Sequence, residues 1–283
     1  MSTLTPGNAA ELLRKWTFGG IEAVPVNEVK AGVKIGIYGP GGSGKTTLVG
    51  TACDSEYGGP MLYLNARGNP QVIKSRKSQV VVVEIAKFSE VESVRKDIIK
   101  SLQANDFPFK SIAIDNVSDV HAQDLRDRYG PMTEVQWEKH SASTADILSM
   151  TRNFSDIADI WGINTFFVLW ETPEKREIRG RTVTRSEVAL PGALQAQLPG
   201  IINWLGRLYI MDDAPRYTRC LDFRPIETQQ VSKYQVDPDD SSYEGIDMEI
   251  YDPHLGHILD SIKGGLPYPV QLHQKPVNQA KRS

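Results

Sequence analysis

Gly39-Pro40-Gly41-Gly42-Ser43-Gly44-Lys45-Thr46 decides how this chain is read. Gly39, Gly44, Lys45 and Thr46 fill the fixed positions of G-x-x-x-x-G-K-[ST], a pattern that arises by chance in a chain of this length on the order of once in 100 sequences. A β-rich run, Lys34–Tyr38, ends just before the loop, and a helical run, Lys45–Cys53, starts at its end; this is the setting in which such a loop binds phosphate. Glycines permit close backbone approach, so successive N–H groups and the helix N-terminus can surround phosphate oxygens. Lys45 adds a cation at the β and γ phosphates, and the Thr46 hydroxyl is suited to Mg²⁺. The stretch therefore predicts ATP held by Gly39, Pro40, Gly41, Gly42, Ser43, Gly44, Lys45, Thr46 and Thr47, with Lys45 in a catalytic role.

Outward from the loop the pattern is regular. Met61–Asn65 and Gln79–Ile85 are short apolar runs rich in β-formers, read as strands buried on both faces, and Ser111–Asp115 and Thr165–Trp170 read as further strands. Ser89 and Glu92 have capping-box spacing, and Val91, Val94, Ile98 and Leu102 follow at helical steps, which predicts a helix over 89–104. Ile147, Met150, Phe154, Ile157 and Trp161 mark a second long helix, with Gly162 placed to cap it. Strands alternating with helices predict an α/β fold with a mainly parallel central sheet flanked by helices. Gly206–Met211 and Tyr217–Phe223 read as a β-hairpin beyond the sheet, Asp237–Gly245 as an acidic surface loop, and Leu255–Ile262 as a final short helix. The expected division is an arm over residues 1–30, one nucleotide-binding domain over 31–264 and a mobile tail over 265–283.

Composition narrows the class. With 40% apolar and 24% charged residues the chain has the balance of a folded domain, and a net charge of −3 gives no global pull toward nucleic acid or anionic lipid. Cys53 and Cys220, far apart and without a C-x-x-C partner, suit a reducing compartment, and no apolar run is long enough to span a bilayer. The N-terminus has no signal-peptide pattern, so a cytoplasmic location is expected.

A metal partner for Thr46 is expected at the tip of a neighbouring strand, and Asp115 ends the run Ser-Ile-Ala-Ile-Asp. An N-K-x-D element for guanine is missing, as is an L-S-G-G-Q signature, which argues against a GTPase and a transporter ATPase. In order along the chain, GPGGSGKTTL, PMLYLNARG, SIAIDNVSD, a Trp137-containing start to a long helix, TFFVLWE, Leu198-Pro-Gly with Asn203-Trp-Leu-Gly-Arg207, and DPHLGHILDSI resemble the phage-type P-loop ATPases with a RecA-like core, a group that includes single-strand-annealing recombination proteins. The resemblance spans about 31–264. It implies an ATP-dependent protein acting on single-stranded DNA in phage recombination or replication inside an infected bacterium. It also implies a ring or filament of identical subunits, with a single-strand-binding or other replication protein as a further partner.

One departure bears on catalysis. Members of that group often carry an acid that orients the attacking water after the strand that follows the phosphate-loop helix, and here that place reads Asn65-Ala66-Arg67. Hydrolysis is then slow, or another group serves, and Glu171 at the tip of Thr165–Trp170 is the candidate. After Glu171, residues 172–187 form a polar loop or hairpin with Lys175, Arg176, Arg179, Arg181 and Arg185 against three Glu. In the RecA-like arrangement this segment faces the DNA path, and arginines suit phosphate contacts, although no aromatic residue is there to stack on a base. Arg224 and Lys233 are candidates to complete a neighbouring subunit's site. His254 and His257 are read as residues at a helix start rather than metal ligands, and Trp161, Trp170 and Trp204 as core. Two other functions fit the same loop: a nucleotide-switched regulatory or remodelling ATPase with a protein partner, and a small-molecule kinase.

Overall fold

A computed structural model describes residues 17–18, 21–22, 29, 31–76, 79–130, 137–178, 180–211, 217–224, 247–266 and 268–269. Most of the expected arm, the acidic stretch Asp237–Gly245, Lys233, Arg179 and nearly all of the expected tail lie outside the described residues. β1 (Thr17–Phe18) and β2 (Ile21–Glu22) make a small antiparallel pair. The main sheet follows in chain order as β3 (Lys34–Gly39), β4 (Met61–Asn65), β5 (Val80–Glu84), β6 (Ser111–Asp115), β7 (Asn164–Ile178), β8 (Arg181–Val188), β9 (Trp204–Ile210), β10 (Arg219–Asp222) and β11 (Glu249–Tyr251). Its helices are α1 (Lys45–Gly50), α2 (Phe88–Gln103), α3 (Val117–Tyr129), α4 (Trp137–Trp161), α5 (Gly192–Ile201) and α6 (Leu255–Gly264).

Across the sheet the order is β11-β10-β9-β3-β7-β6-β4-β5, with β8 added to β7. Pairings from β9 to β5 are parallel, and those of β8, β10 and β11 are antiparallel. The mainly parallel, helix-flanked α/β sheet expected from the alternation is the one that forms. Side chains along a strand alternate between faces, so each buried strand feeds two cores. Ile35, Ile37, Met61, Tyr63, Phe166 and Val168 pack with α1 and α6, and Leu62, Leu64, Ile112, Ile114, Phe167 and Leu169 pack with α2 to α5. β3 lies beside β7, and β7 beside β6, so the strand feeding the phosphate loop is one strand removed from the strand ending in Asp115.

Several local expectations change. β5 is the sheet edge, with Val81 51% and Val82 37% exposed, so it is not buried on both faces. α2 starts one residue earlier than Ser89, because the Glu90 carboxylate, not Glu92, reaches back to the N–H groups of Ala86 (2.7 Å) and Lys87 (3.1 Å). Glu92 instead pairs with Arg95 at 2.8 Å. Gly162, at φ 71°, follows α4 as expected. The late hairpin gains a third strand, β11, and the segment before Asn203 is the helix α5. Tyr268, in the stretch expected as a tail, is 4% exposed and belongs to the core around α6. Among the described residues no helix is long and apolar enough to cross a membrane.

Candidate functional site

The C-terminal ends of β3, β7, β6 and β4 stand side by side, and the polar chemistry gathers there. β3 runs into the loop Gly39–Thr46 and then α1. Gly42 (φ 79°) and Gly44 (φ 96°) take left-handed conformations that admit glycine most readily, and a Cβ at Gly42 would meet nothing within 4 Å. Gly41 and Gly42 are exposed, which leaves the loop backbone accessible. Lys45 Nζ donates to the carbonyls of Gly39 and Pro40, both at 2.8 Å. Burial pulls the Lys45 ammonium down to about 8, against the nearby carboxylates of Asp115 and Glu171, which favour its charge. Ser43 is fully buried, and among the described residues its Oγ has no hydrogen-bond partner. A concave backbone cradle, a buried cation and an unpaired buried hydroxyl are the donors that a triphosphate would accept.

The structure brings Thr46 and Asp115 together: Thr46 Oγ1 donates to Asp115 Oδ2 at 2.5 Å, and the Tyr63 hydroxyl donates to the same oxygen. Burial lifts the Asp115 carboxyl above its ordinary range, opposed by these two hydrogen bonds and by the charge of Lys45. Two hard oxygen donors in contact, one of them a buried carboxylate short of positive charge, fit Mg²⁺ with Thr46 and Asp115 as its protein ligands.

Glu171 lies beside Lys45, but both of its oxygens are engaged. Arg207 on β9 donates Nε to Oε2 at 2.8 Å and Nη2 to Oε1 at 3.1 Å, and its guanidinium lies 4.9 Å from the Tyr209 ring. Trp170 is not a core residue. It is half-buried at the β7 tip, with Nε1 donating to Asp119 Oδ2 (2.9 Å) and its backbone N–H to Ser118 Oγ (3.1 Å). Its indole lies 4.4 Å from Lys45 Nζ and would touch a Cβ at Gly41 at 3.3 Å. Trp161 is half-buried, and Trp204 is in the core as expected.

Sequence reading missed four participants: Trp170, Asp119, Arg207 and Arg219. Arg219 on β10 donates Nε to Ser43 O at 3.0 Å and sits where a Cβ on Gly44 would fall, 2.5 Å from that nitrogen. Asp119, Trp170 and Arg207 lie in elements that carried the resemblance, SIAIDNVSD, TFFVLWE and Asn203–Arg207, but nothing in the sequence singled them out, and Arg219 lies in none of them. At the place of the expected acid, Asn65 Nδ2 donates to Glu84 Oε2 at 2.6 Å, while Asn65 Oδ1 is buried and has no hydrogen-bond partner among the described residues. Arg67 is exposed and lines, with Glu84, Gln123, Arg126 and Asp127, a cleft of about 530 Å³. Asn116, directly after Asp115, caps α3 by accepting the Asp119 N–H at 2.7 Å.

Thr172–Ile178 of β7 pairs with Arg181–Glu187 of β8 in an antiparallel hairpin. Lys175 and Arg181 are exposed, and Arg185 stands across from Glu174. The Arg176 side chain and all of Arg179 lie outside the described residues. Arg224 is bound by Asp222 (2.7 Å) and Glu249 (2.9 Å) within its own chain. His254 caps α6 and sits 3.1 Å from Asp54, and the described residues contain no cluster that could hold a metal by three His, Cys, Asp or Glu side chains.

A family model described as AAA domain matches residues 31–233. No curated protein matches the chain. Among solved structures, a KaiC-like protein from the hyperthermophilic archaeon Pyrococcus horikoshii is 12% identical, with 78% of this chain and 85% of that chain covered and a TM-score of 0.42.

Proposed function

We propose, from the premise that the chain belongs to the AAA domain family of P-loop ATPases, that it binds and hydrolyses ATP with Mg²⁺ and acts on single-stranded DNA through the β7–β8 hairpin. The observation that carries the reading is the continuity of β7. Without a break it runs from the sheet core, past Trp170 and Glu171 at the phosphate loop, into an exposed hairpin bearing Lys175 and Arg181. Thr172–Ile178 extends roughly 24 Å at about 3.4 Å per residue, a length that spans several phosphates of a single strand. A change at the loop reaches the hairpin by a stiff, hydrogen-bonded path.

Each residue has a task in this reading. The backbone of Gly39–Gly44 cradles the phosphates, with Thr47 beside it in the first turn of α1. Lys45 exchanges its two carbonyl partners for β and γ oxygens. Thr46 and Asp115 hold Mg²⁺, which when bound neutralises phosphate charge. Glu171 and Arg207 border Lys45 and report on the γ-phosphate. The basic residues of the hairpin, including Arg176, Arg179 and Arg185, contact DNA phosphates, and several identical subunits assemble along the strand.

The test is steady-state ATP hydrolysis by the full chain with and without single-stranded DNA, together with DNA binding over a salt series. Stimulation by DNA and an affinity that falls steeply with salt are expected. Salt-insensitive or absent binding, with no stimulation, removes the DNA role. A second reading, a nucleotide switch acting on a protein partner, is favoured by Asn65 standing where an acid would orient the attacking water. It predicts ATP retained for minutes and unchanged by DNA.

A further inference from the structure

We infer that Asp119 is the acid that orients and deprotonates the attacking water. The inference rests on the ATPase reading above and supplies the acid that Asn65-Ala-Arg67 lacks. Asp119 stands in the first turn of α3, which follows β6 directly. Two donors fix its carboxylate, Asn116 Nδ2 at 2.6 Å and Trp170 Nε1 at 2.9 Å, and both fall on Oδ2. Among the described residues Oδ1 accepts no hydrogen bond. A carboxylate clamped through one oxygen has a fixed plane and a free oxygen, which is what holding a water in one orientation requires.

The clamp also ties Asp119 to the loop through one side chain. The Trp170 indole that binds Asp119 is the ring lying over Lys45 Nζ and against Gly41, so Asp119 is tied to the wall of the loop where the terminal phosphate would sit. Asp115 ends β6, and Asp119 follows it by one turn at the start of α3. A residue serving only to cap α3 would need Asn116 and no indole.

The other acids at the strand tips are less suited. Asp115 is engaged by Thr46 and Tyr63, and Glu171 has both oxygens on Arg207. Glu84 is two strands from Asp115 across β4, roughly 10 Å at about 4.8 Å per strand, and it is exposed. In the step, Asp119 Oδ1 takes a proton from the water as the water oxygen bonds to the γ-phosphorus. The bond from that phosphorus to the β–γ bridging oxygen breaks, ADP leaves with the electron pair, and the proton passes to the phosphate product.

The experiment compares wild type, Asp119→Asn and Glu84→Gln as full chains with Mg²⁺ and ATP. Nucleotide affinity is read by calorimetry and by tryptophan fluorescence, and hydrolysis by single-turnover phosphate release. Asn at 119 keeps an oxygen for the Trp170 N–H, so Asp119→Asn is expected to bind ATP within about threefold of wild type. Its turnover is expected to fall by at least about 100-fold, the lower end of what a positioned general base contributes. It should then be isolated with intact ATP bound, while Glu84→Gln stays within about threefold of wild type in both measures. Turnover by Asp119→Asn within tenfold of wild type overturns the inference, as does loss of ATP affinity along with turnover, or a larger defect in Glu84→Gln. Wild type that binds ATP without hydrolysing it also overturns it. Wild type that binds no ATP refutes the function proposed above instead.

Discussion

Removing Arg207 tests whether Glu171 is held away from Lys45 by its partner on β9. The pair is bidentate, with Arg207 23% and Glu171 13% exposed at the side chain, so the carboxylate is mostly withdrawn from water. Hydrogen bonds to charged groups contribute about 1.5–3 kcal/mol, and partial exposure places this pair near the middle, about 2 kcal/mol. Arg207→Ala leaves the carboxylate unpaired and should lower the melting temperature by roughly 4–8 °C, at 2–4 °C per kcal/mol for a chain of this size class. It should also weaken ATP binding by about tenfold, or 1.4 kcal/mol, because the released carboxylate turns toward Lys45 and competes with the phosphates. Glu171→Gln should cost less than Arg207→Ala, and the double variant should recover most of what each single variant gives up. Thermal unfolding and ATP calorimetry on the four proteins give the coupling as a double-mutant cycle. A coupling below about 0.5 kcal/mol in both measurements would refute the reasoning, since additive effects mean that the two side chains do not depend on one another.

Lys45→Ala should weaken ATP binding at least about thirtyfold, the worth of about 2 kcal/mol of charge-assisted hydrogen bonding; calorimetry showing unchanged affinity would remove the loop as the nucleotide site. Gly44→Ala forces a Cβ into a residue at φ 96° and to 2.5 Å from Arg219 Nε, so about 1–2 kcal/mol of backbone strain plus displacement of Arg219 should cut ATP affinity about tenfold or more. Full ATP affinity in that variant, measured the same way, would contradict it. Replacing Lys175, Arg181 and Arg185 together by Ala should reduce the slope of log affinity against log salt for single-stranded DNA by up to about 2, at about 0.7 for each phosphate no longer neutralised. An unaltered slope would take the DNA-binding role off the hairpin.

The phosphate loop was legible because its chemistry is local: spacing alone places Gly39, Gly44, Lys45 and Thr46 on one turn. The α/β class was legible for a similar reason, since each strand and helix announces itself within about ten residues. Sheet order is not local, and it decides the rest. Asp115 is 69 positions from Thr46, yet being a strand-end acid it could be singled out. Asp119, Trp170, Arg207 and Arg219 could not be placed at the loop without knowing that β7 sits between β3 and β6 and that β9 and β10 flank β3 on its other side. Trp170 closes an apolar run, so its sequence context reads as core, and only the pairing of Gly39 with Trp170 across β3 and β7 puts its ring beside Lys45. β5 misled for the opposite reason. Four consecutive valines carry no face signal, and a uniformly apolar strand looks doubly buried whether it lies at the centre or the edge.

Sheet order bears equally on the acid that Asn65-Ala-Arg67 fails to supply. At the end of β4 itself stands an amide whose nitrogen holds Glu84. An attacking water, however, needs only a carboxylate oxygen near the terminal phosphate, and the fold can deliver it from any element that ends at that edge. The first turn of α3 stands at that edge, and there Asp119, three residues after the cap Asn116, is held by the indole of β7. With Asp119 in the proposed role, an amide after β4 is no obstacle to hydrolysis.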